Sequence, residues 1–408
     1  MHPSPAPSYR PATESPAAEA SRGRGPLTGV TVVEFAGLSP ASVACMLLCS
    51  LGAEVIRIDR RTHEADDETN TLRRGRRSIV LDLKHPDGNR IARQLAAKAD
   101  VVVEGYRPGV MERLGLGPET LLAENPGLVY GRLTGWGQDG PYALLAGHDI
   151  TYLALTGALH SMGPADGPPV PPVNYVADLG AGTMFLISGV LAALWERGRS
   201  GHGQVVDAAM VDAVPTLAAT VLRSRARGEW TDERGTNYLD GGAPWYRAYT
   251  CSDGRYIAVG ALEPHFYANF IKGLGLESAE LPDQWDEERW PELASVIADR
   301  VATKSRDDWE SLFSTTDACV SPVLSFTEAP SHPHVAAREA FVQSGGAWQP
   351  GVAPKFSRTK GVAPTSAPGR GADTRKILLE LNLSDSAIEE LLTSGASWDG
   401  SISTGPRG

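Results

Sequence analysis

Cysteine is scarce, with only Cys45, Cys49, Cys251 and Cys319 in 408 residues. Four thiols in a chain this long do not make a disulfide framework, and the usage fits the reducing cytoplasm. Cys45 and Cys49 would share one helix face, but no further ligands lie nearby, so they read as core thiols and not as half of a metal site. Positive charge is in deficit as well: a formal net charge of -11 excludes a general nucleic-acid binder, which carries a basic surplus. Residues 1–25 are rich in Pro, Ala and Ser and have no apolar core of the kind a signal peptide needs; they read as a disordered extension. One long apolar run, residues 179–195, approaches the lower limit of a membrane span. Gly180, Gly182 and Gly189 interrupt it, and Asp178 and Glu196 bracket it. It reads as a helix buried in a large domain, with no membrane partner.

A glycine-rich phosphate turn is also missing. The strand pattern GVTVVEF (29–35) leads into AGLSPA (36–41) and a helix. A nicotinamide dinucleotide needs glycines there so that the backbone can approach the pyrophosphate. One glycine and a proline exclude that use.

What is present is enough apolar sequence, 42%, for a sizeable core, and length for two domains. Strand patterns at 29–35, 54–59 and 100–104 alternate with helical ones at 41–51 and 87–98, which predicts a doubly wound α/β sheet. GQVVDAAM (203–210) precedes a helical run to about residue 227. From Trp245 the texture changes. Strands at 246–251 and 255–260 flank Ser252-Asp253-Gly254, a hairpin signal, and helices are expected at 264–273 and 291–303. These boundaries give an N-terminal part of the large domain at 26–228, a linker and small α+β domain at 229–330, a C-terminal segment at 331–400 with helices near 375–381 and 386–392, and a disordered tail at 401–408.

Against the acidic background, arginines concentrate early: Arg57, Arg60, Arg61, Arg73, Arg74, Arg76, Arg77, Arg107 and Arg113, with Lys84. The guanidinium fork suits phosphate oxygens, so the group points to a polyphosphate ligand.

Several motifs then occur in order: GLSP (37–40), EGYRPGVMERLGLGP (104–118), GWGQDGPYALLAGHDITY (135–152), PPVNYVADLGAGTM (171–184), GQVVDAAMVDA (203–213) and GTNYLDGGAPWYRAYTCSDGRYIAVGALEPHFY (235–267). Together they resemble the α-methylacyl-CoA racemases of the family III CoA-transferase superfamily, over about residues 27–392. The resemblance implies a large Rossmann-like domain, rejoined by the C-terminal segment, plus a small α+β domain. It also implies an interlocked homodimer whose active sites lie between the large domain of one subunit and the small domain of the other.

By the same resemblance His148 and Asp178 are the catalytic acid/base pair, Glu263 is the carboxylate that orients the histidine, and Asp149 supports them from behind. Carried over as substrate and CoA contacts are Arg60, Arg77, Leu81, Asp82, Leu83, Lys84, Gly105, Tyr106, Arg107, Arg113, Gly147, Ile150, Thr151 and Tyr152. Residues 41–45, Tyr175, Leu179 and His265 depart from what is usual in the family and bear on the acyl group accepted.

The residue types fit the reaction. The α-proton of a thioester leaves only if the enolate is stabilised, and inversion needs a base on each face of it. Amides at the helix start near Asp178 are expected to supply hydrogen bonds to the enolate oxygen. No metal or cofactor beyond the CoA of the substrate is called for. Two alternatives stay open: a CoA-transferase in which Asp178 carries the acyl group covalently, and another enolate reaction, isomerisation or elimination, on an unusual acyl-CoA.

Overall fold

β1 (Thr31–Phe35) starts the fold because four of its five residues, TVVEF, are β-branched or aromatic and can be covered on both faces; all but Thr31 are buried. A strand of that kind belongs in the middle of a parallel sheet. It lies between β2 (Glu54–Asp59) and the strand that follows the next crossover. The computed structural model describes residues 25–37, 39–61, 70–277, 280–362 and 366–400; most of the expected N-terminal extension and the whole expected tail lie outside these.

α1 (Ser39–Ser50) links β1 to β2, and β3 (Arg77–Leu81) pairs with β2. α2 (Pro86–Lys98) begins with Pro at its first turn, where no amide donor is lost, and its His85 cap accepts from Asp87 N–H. Its apolar face packs on the sheet and returns the chain to β4 (Val101–Glu104). α3 (Val110–Arg113) and α4 (Pro118–Glu124) precede β5 (Val129–Thr134). The segment that follows carries α5 (Asp149–Leu155), a π-helical run (Tyr175–Thr183) continuous with α6 (Met184–Ser200), then β6 (Val205–Ala209).

Beyond it come α7 (Met210–Leu217), α8 (Ala219–Ala226), β7 (Tyr246–Thr250), β8 (Tyr256–Gly260), α9 (Pro264–Leu274), α10 (Trp290–Val301), α11 (Arg306–Phe313) and β9 (Val320–Pro322). The chain ends through α12 (Pro333–Ala337), a hairpin of β10 (Phe341–Ser344) and β11 (Ala347–Pro350), α13 (Thr374–Glu380), α14 (Asp385–Thr393) and β12 (Ser397–Trp398).

The main sheet has the order β12-β3-β2-β1-β4-β5-β6, parallel except for β12. Connections reverse between β1 and β4, and ligands of open α/β sheets bind outside the carboxyl ends of the strands at such a switch point. One apolar layer, built on α1, the π-helical run and α6, covers one face; α2, α4, α13 and α14 cover the other. A third core forms around β7, β8, α9, α10 and α11, with Trp245 and Trp309 fully buried. The apolar stretch Tyr175–Ser200 is long and apolar enough to cross a membrane by length and composition alone. Here it packs against β5, β6 and α1.

Several elements differ from the sequence expectation. β3 falls within the arginine-rich stretch and was hidden by it. β12 is only two residues long and takes its place through pairing with Leu81 and Val80. The helix expected to start near Asp178 begins earlier: Asn174 holds the cap position, and Asp178 lies in the first turn of the π-helical run.

Candidate active site

Strand ends set the floor of the site. Glu104, the last residue of β4, is buried and accepts from Arg132 Nε at 2.7 Å and from Tyr106 N–H at 2.8 Å. Burial pushes its carboxyl up against these hydrogen bonds. Tyr106 in turn donates its hydroxyl to Ala36 C=O at 2.7 Å. The two bonds fix the Gly105-Tyr106-Arg107 loop over the switch point, and all three residues line a cleft of about 380 Å³. Pro40 and Ala41 of α1, Trp136, Leu145, Gly147, His148, Tyr152, Asn174, Asp178 and Met210 line it too.

His148 sits exposed at the amino end of α5 in extended backbone, φ -139°. Its backbone is held by Thr151, whose hydroxyl accepts from His148 N–H at 3.0 Å and donates to His148 C=O at 2.7 Å. Asp178 reaches the same cleft, half-buried, from the π-helical run. There Leu179 N–H donates five residues back to Asn174 C=O at 3.3 Å, and Thr183 ties the run to α1 through Pro40 C=O at 2.9 Å. Asp178 Oδ2 accepts from Asn174 Nδ2 at 3.4 Å. Burial is the main cause that raises the Asp178 carboxyl above the ordinary range; the Asn174 bond lowers it, Asp149 raises it and His148 lowers it. A carboxyl so shifted exchanges protons more readily near neutral pH than an exposed one.

The amides at the start of the Asp178 helix are not the free donors expected. Asp178 N–H donates to Asp149 Oδ2 at 2.8 Å, and Leu179 N–H is taken by Asn174. Asp149 and Ile150, the first two residues of α5, stand where helix geometry leaves N–H groups without an intrahelical acceptor.

A second cavity, about 460 Å³, lies beyond the ends of β1 and β2 and is lined by Arg57, Arg60, Arg61, Arg73 and Arg370 among others. Ser39 borders both spaces. The early arginines therefore divide. Arg76 Nε lies 2.7 Å from Glu34 Oε2 inside the core, where Arg57 also pairs with Glu34. Arg73 pairs with Asp59 at 2.9 Å, and Arg74 donates to Pro350 C=O at 2.8 Å. These charges are part of the scaffold. Arg60, Arg61 and Arg107 are exposed at the carboxyl edge.

Arg77, expected among the ligand contacts, lies apart from both spaces. It opens β3 at the opposite, amino edge of the sheet, where Glu54 and Glu380 each pair with it at 2.7 Å. The turn after β3 stays on the ligand side but lines neither space: Leu81 is buried, and Asp82 Oδ1 accepts from Lys84 N–H at 2.9 Å. Leu83 is half-buried, while Lys84, Arg113 and Ile150 are exposed outside both linings. Glu263 caps α9 in the smaller core's layer, exposed and outside the cleft. Of the departing positions, Ala41 lines the cleft; Tyr175, Leu179 and His265 do not.

Trp136, Asn174 and Arg370 were not singled out from sequence. Asn174 sits one helical turn before Asp178, a spacing that could have flagged it. Arg370 had no such signal, because only the pairing of the C-terminal segment with β3 brings it to this edge.

The model of CoA-transferase family III matches residues 27–374. The chain is 46% identical to the α-methylacyl-CoA racemase of Mus musculus and 43% identical to that of Homo sapiens, over 90% of this chain and 96% of each relative. Its fold is similar to the crystal structure of a CAIB/BAIF family protein from Brucella suis, with a TM-score of 0.75 and 26% identity over 88% of this chain and 99% of that one. The chain belongs to family III of the CoA-transferases.

Proposed function

We propose that this enzyme works as an α-methylacyl-CoA racemase, interconverting (2R)- and (2S)-2-methylacyl-CoA thioesters by proton transfer through an enolate. The observation that carries the reading is that His148 and Asp178 line one cleft from two separate elements at the switch point of the sheet. In one direction the Asp178 carboxylate takes the α-proton, the C–H electron pair moves into the enolate, and protonated His148 returns a proton to the opposite face. In the other direction the roles exchange. The enolate oxygen is served by N–H groups at the start of α5 rather than by Asp178 N–H, which Asp149 occupies.

The cofactor portion of the substrate fits the adjoining basic space. Arg60, Arg61, Arg370 and Arg107 suit its phosphates, and Ser39 marks the passage to the catalytic cleft. Binding energy from this remote handle positions the reacting carbon.

In this reading a second copy completes the site. Glu263 from the small domain of the other subunit orients His148, and the two chains interlock as a homodimer. Support comes from apolar side chains exposed on the segments that carry the cleft, Leu144 at 66%, the cleft-lining Leu145 at 53% and Tyr175 at 51%, which a lone subunit leaves in water. Four cysteines without disulfide partners support a reducing, cytoplasmic setting.

Chiral separation of the products from one epimer of 2-methylbutanoyl-CoA, or a longer homologue, tests the proposal. Epimerisation with no acceptor acid present supports it. CoA transfer to a free acid, with a trappable thioester on Asp178 and no epimerisation, replaces it with a transferase.

A further inference from the structure

Asp149 follows the exposed His148 directly but is itself buried, at 5% exposure. Its Oδ2 accepts from Asp178 N–H at 2.8 Å, across 29 residues of chain. Its Oδ1 has no hydrogen-bond partner among the described residues. Burying a carboxylate with one oxygen unpaired opposes folding, and its place in the first turn of α5 offsets only part of that through the helix dipole. The unfavourable group has a geometric consequence. It joins the turn that carries one base to the backbone of the residue that carries the other.

Resting on the reading of His148 and Asp178 as opposed bases, we propose that Asp149 is a positioning residue: its carboxylate ties Asp178 to the α5 turn and thereby sets the gap in which the substrate α-carbon sits. Its charge acts on the same partner. The titratable groups bearing on Asp178 are Asp149, His148 and the Tyr152 hydroxyl; α1 carries no charge, and Asp212 of α7 is exposed. Among the described residues Asp149 is thus the carboxylate that acts on Asp178, and with burial it holds that carboxyl up while Asn174 opposes it.

Anchor and charge separate cleanly by substitution. Asp149→Asn keeps an oxygen for the Asp178 N–H and removes the charge. Asp149→Ala removes both. A misplacement of about 1 Å costs on the order of 100-fold in rate, so Asp149→Ala is expected to lose about that in kcat with little change in KM for the CoA ester. Asp149→Asn should recover much of the rate, with the acid limb of its kcat/KM profile moved to lower pH. The proposal is overturned if folded Asp149→Ala keeps wild-type kcat, or if the Asn variant loses rate as deeply with its acid limb unmoved. Should the Ala variant fail to fold, the rate and acid limb of Asp149→Asn decide alone. Failure of the two-base reading shows separately, as a wild-type enzyme that exchanges no α-proton of its substrate.

Discussion

Tyr152 meets Trp136 edge-on, with ring centroids 4.7 Å apart and planes at 82°, and both rings press against glycines. A Cβ on Gly135 would fall 2.0 Å from Tyr152 Cζ, and one on Gly147 would fall 2.5 Å from Tyr152 Cε1 and 2.9 Å from Trp136 Nε1. The motif's glycines are required here by close approach of rings that wall the cleft. Gly147→Ala is expected to displace Tyr152 or Trp136, costing roughly 1–3 kcal/mol by overpacking. Because His148 is the next residue, kcat should fall with the melting temperature. A variant with lowered Tm and full kcat would separate this wall from catalysis.

Removing one base should leave chemistry on the other face. Asp178→Asn is expected to exchange the α-proton of the epimer whose proton points to His148, and His148→Ala that of the other epimer only. General acid–base groups contribute about 10²–10⁴-fold, so epimerisation should collapse in both while one-sided exchange stays measurable. Equal loss on both epimers in folded variants contradicts two opposed bases.

The raised Asp178 carboxyl has consequences for pH in activity and in stability. Activity requires the carboxylate as base, so the acid limb of kcat/KM should lie above the ordinary aspartate range of about 3.9. In stability the folded state binds the proton more tightly than the unfolded chain does. Stability is therefore lost as pH rises between the unfolded and the folded pKa, and the loss is complete above the latter. Asp178→Asn escapes this loss. Its urea midpoint should exceed that of the wild type at neutral pH, and the difference should close as pH falls below the unfolded value. A gap that widens in acid contradicts this.

The arginines should divide by position. Arg107→Ala and Arg60→Ala each remove charge-assisted bonds worth about 1.5–3 kcal/mol to a bound phosphate, raising KM for the CoA ester with the fold intact. Arg77→Ala, at the far edge of the sheet, should leave KM unchanged. Arg76→Ala strips a buried partner from Glu34 and should destabilise by about 3–5 kcal/mol. Ester binding by calorimetry and denaturant midpoints check each arm.

How far the sequence carried the reading varies along the chain. β1, α1, β2, α2 and β4 were legible because each is a local pattern: an apolar run, a proline at a first turn, a period of 3.6. The hairpin of β7 and β8 was equally plain from Ser252-Asp253-Gly254. β3 and β12 were not, since an arginine run masked one and long-range pairing alone creates the other. In the site, His148 and Asp178 were reached through motifs, and the cleft brings them together. The sorting of the arginines was out of reach, because burial of Arg76 against Glu34 and exposure of Arg107 depend on which strand end each occupies. The π-helical path that carries Asp178 leaves no mark in an apolar, glycine-containing run.

The central claim, that a proton leaves and returns at the α-carbon from two faces of this cleft, is tested most directly in heavy water. Each epimer of a 2-methylacyl-CoA is incubated separately with the wild-type enzyme, and the deuterium content of both epimers is followed by mass spectrometry after chiral separation. The account predicts that either starting epimer yields both, with the newly formed epimer carrying one deuterium at the α-carbon from its first appearance. Recovery of the starting epimer alone, free of deuterium, would contradict it.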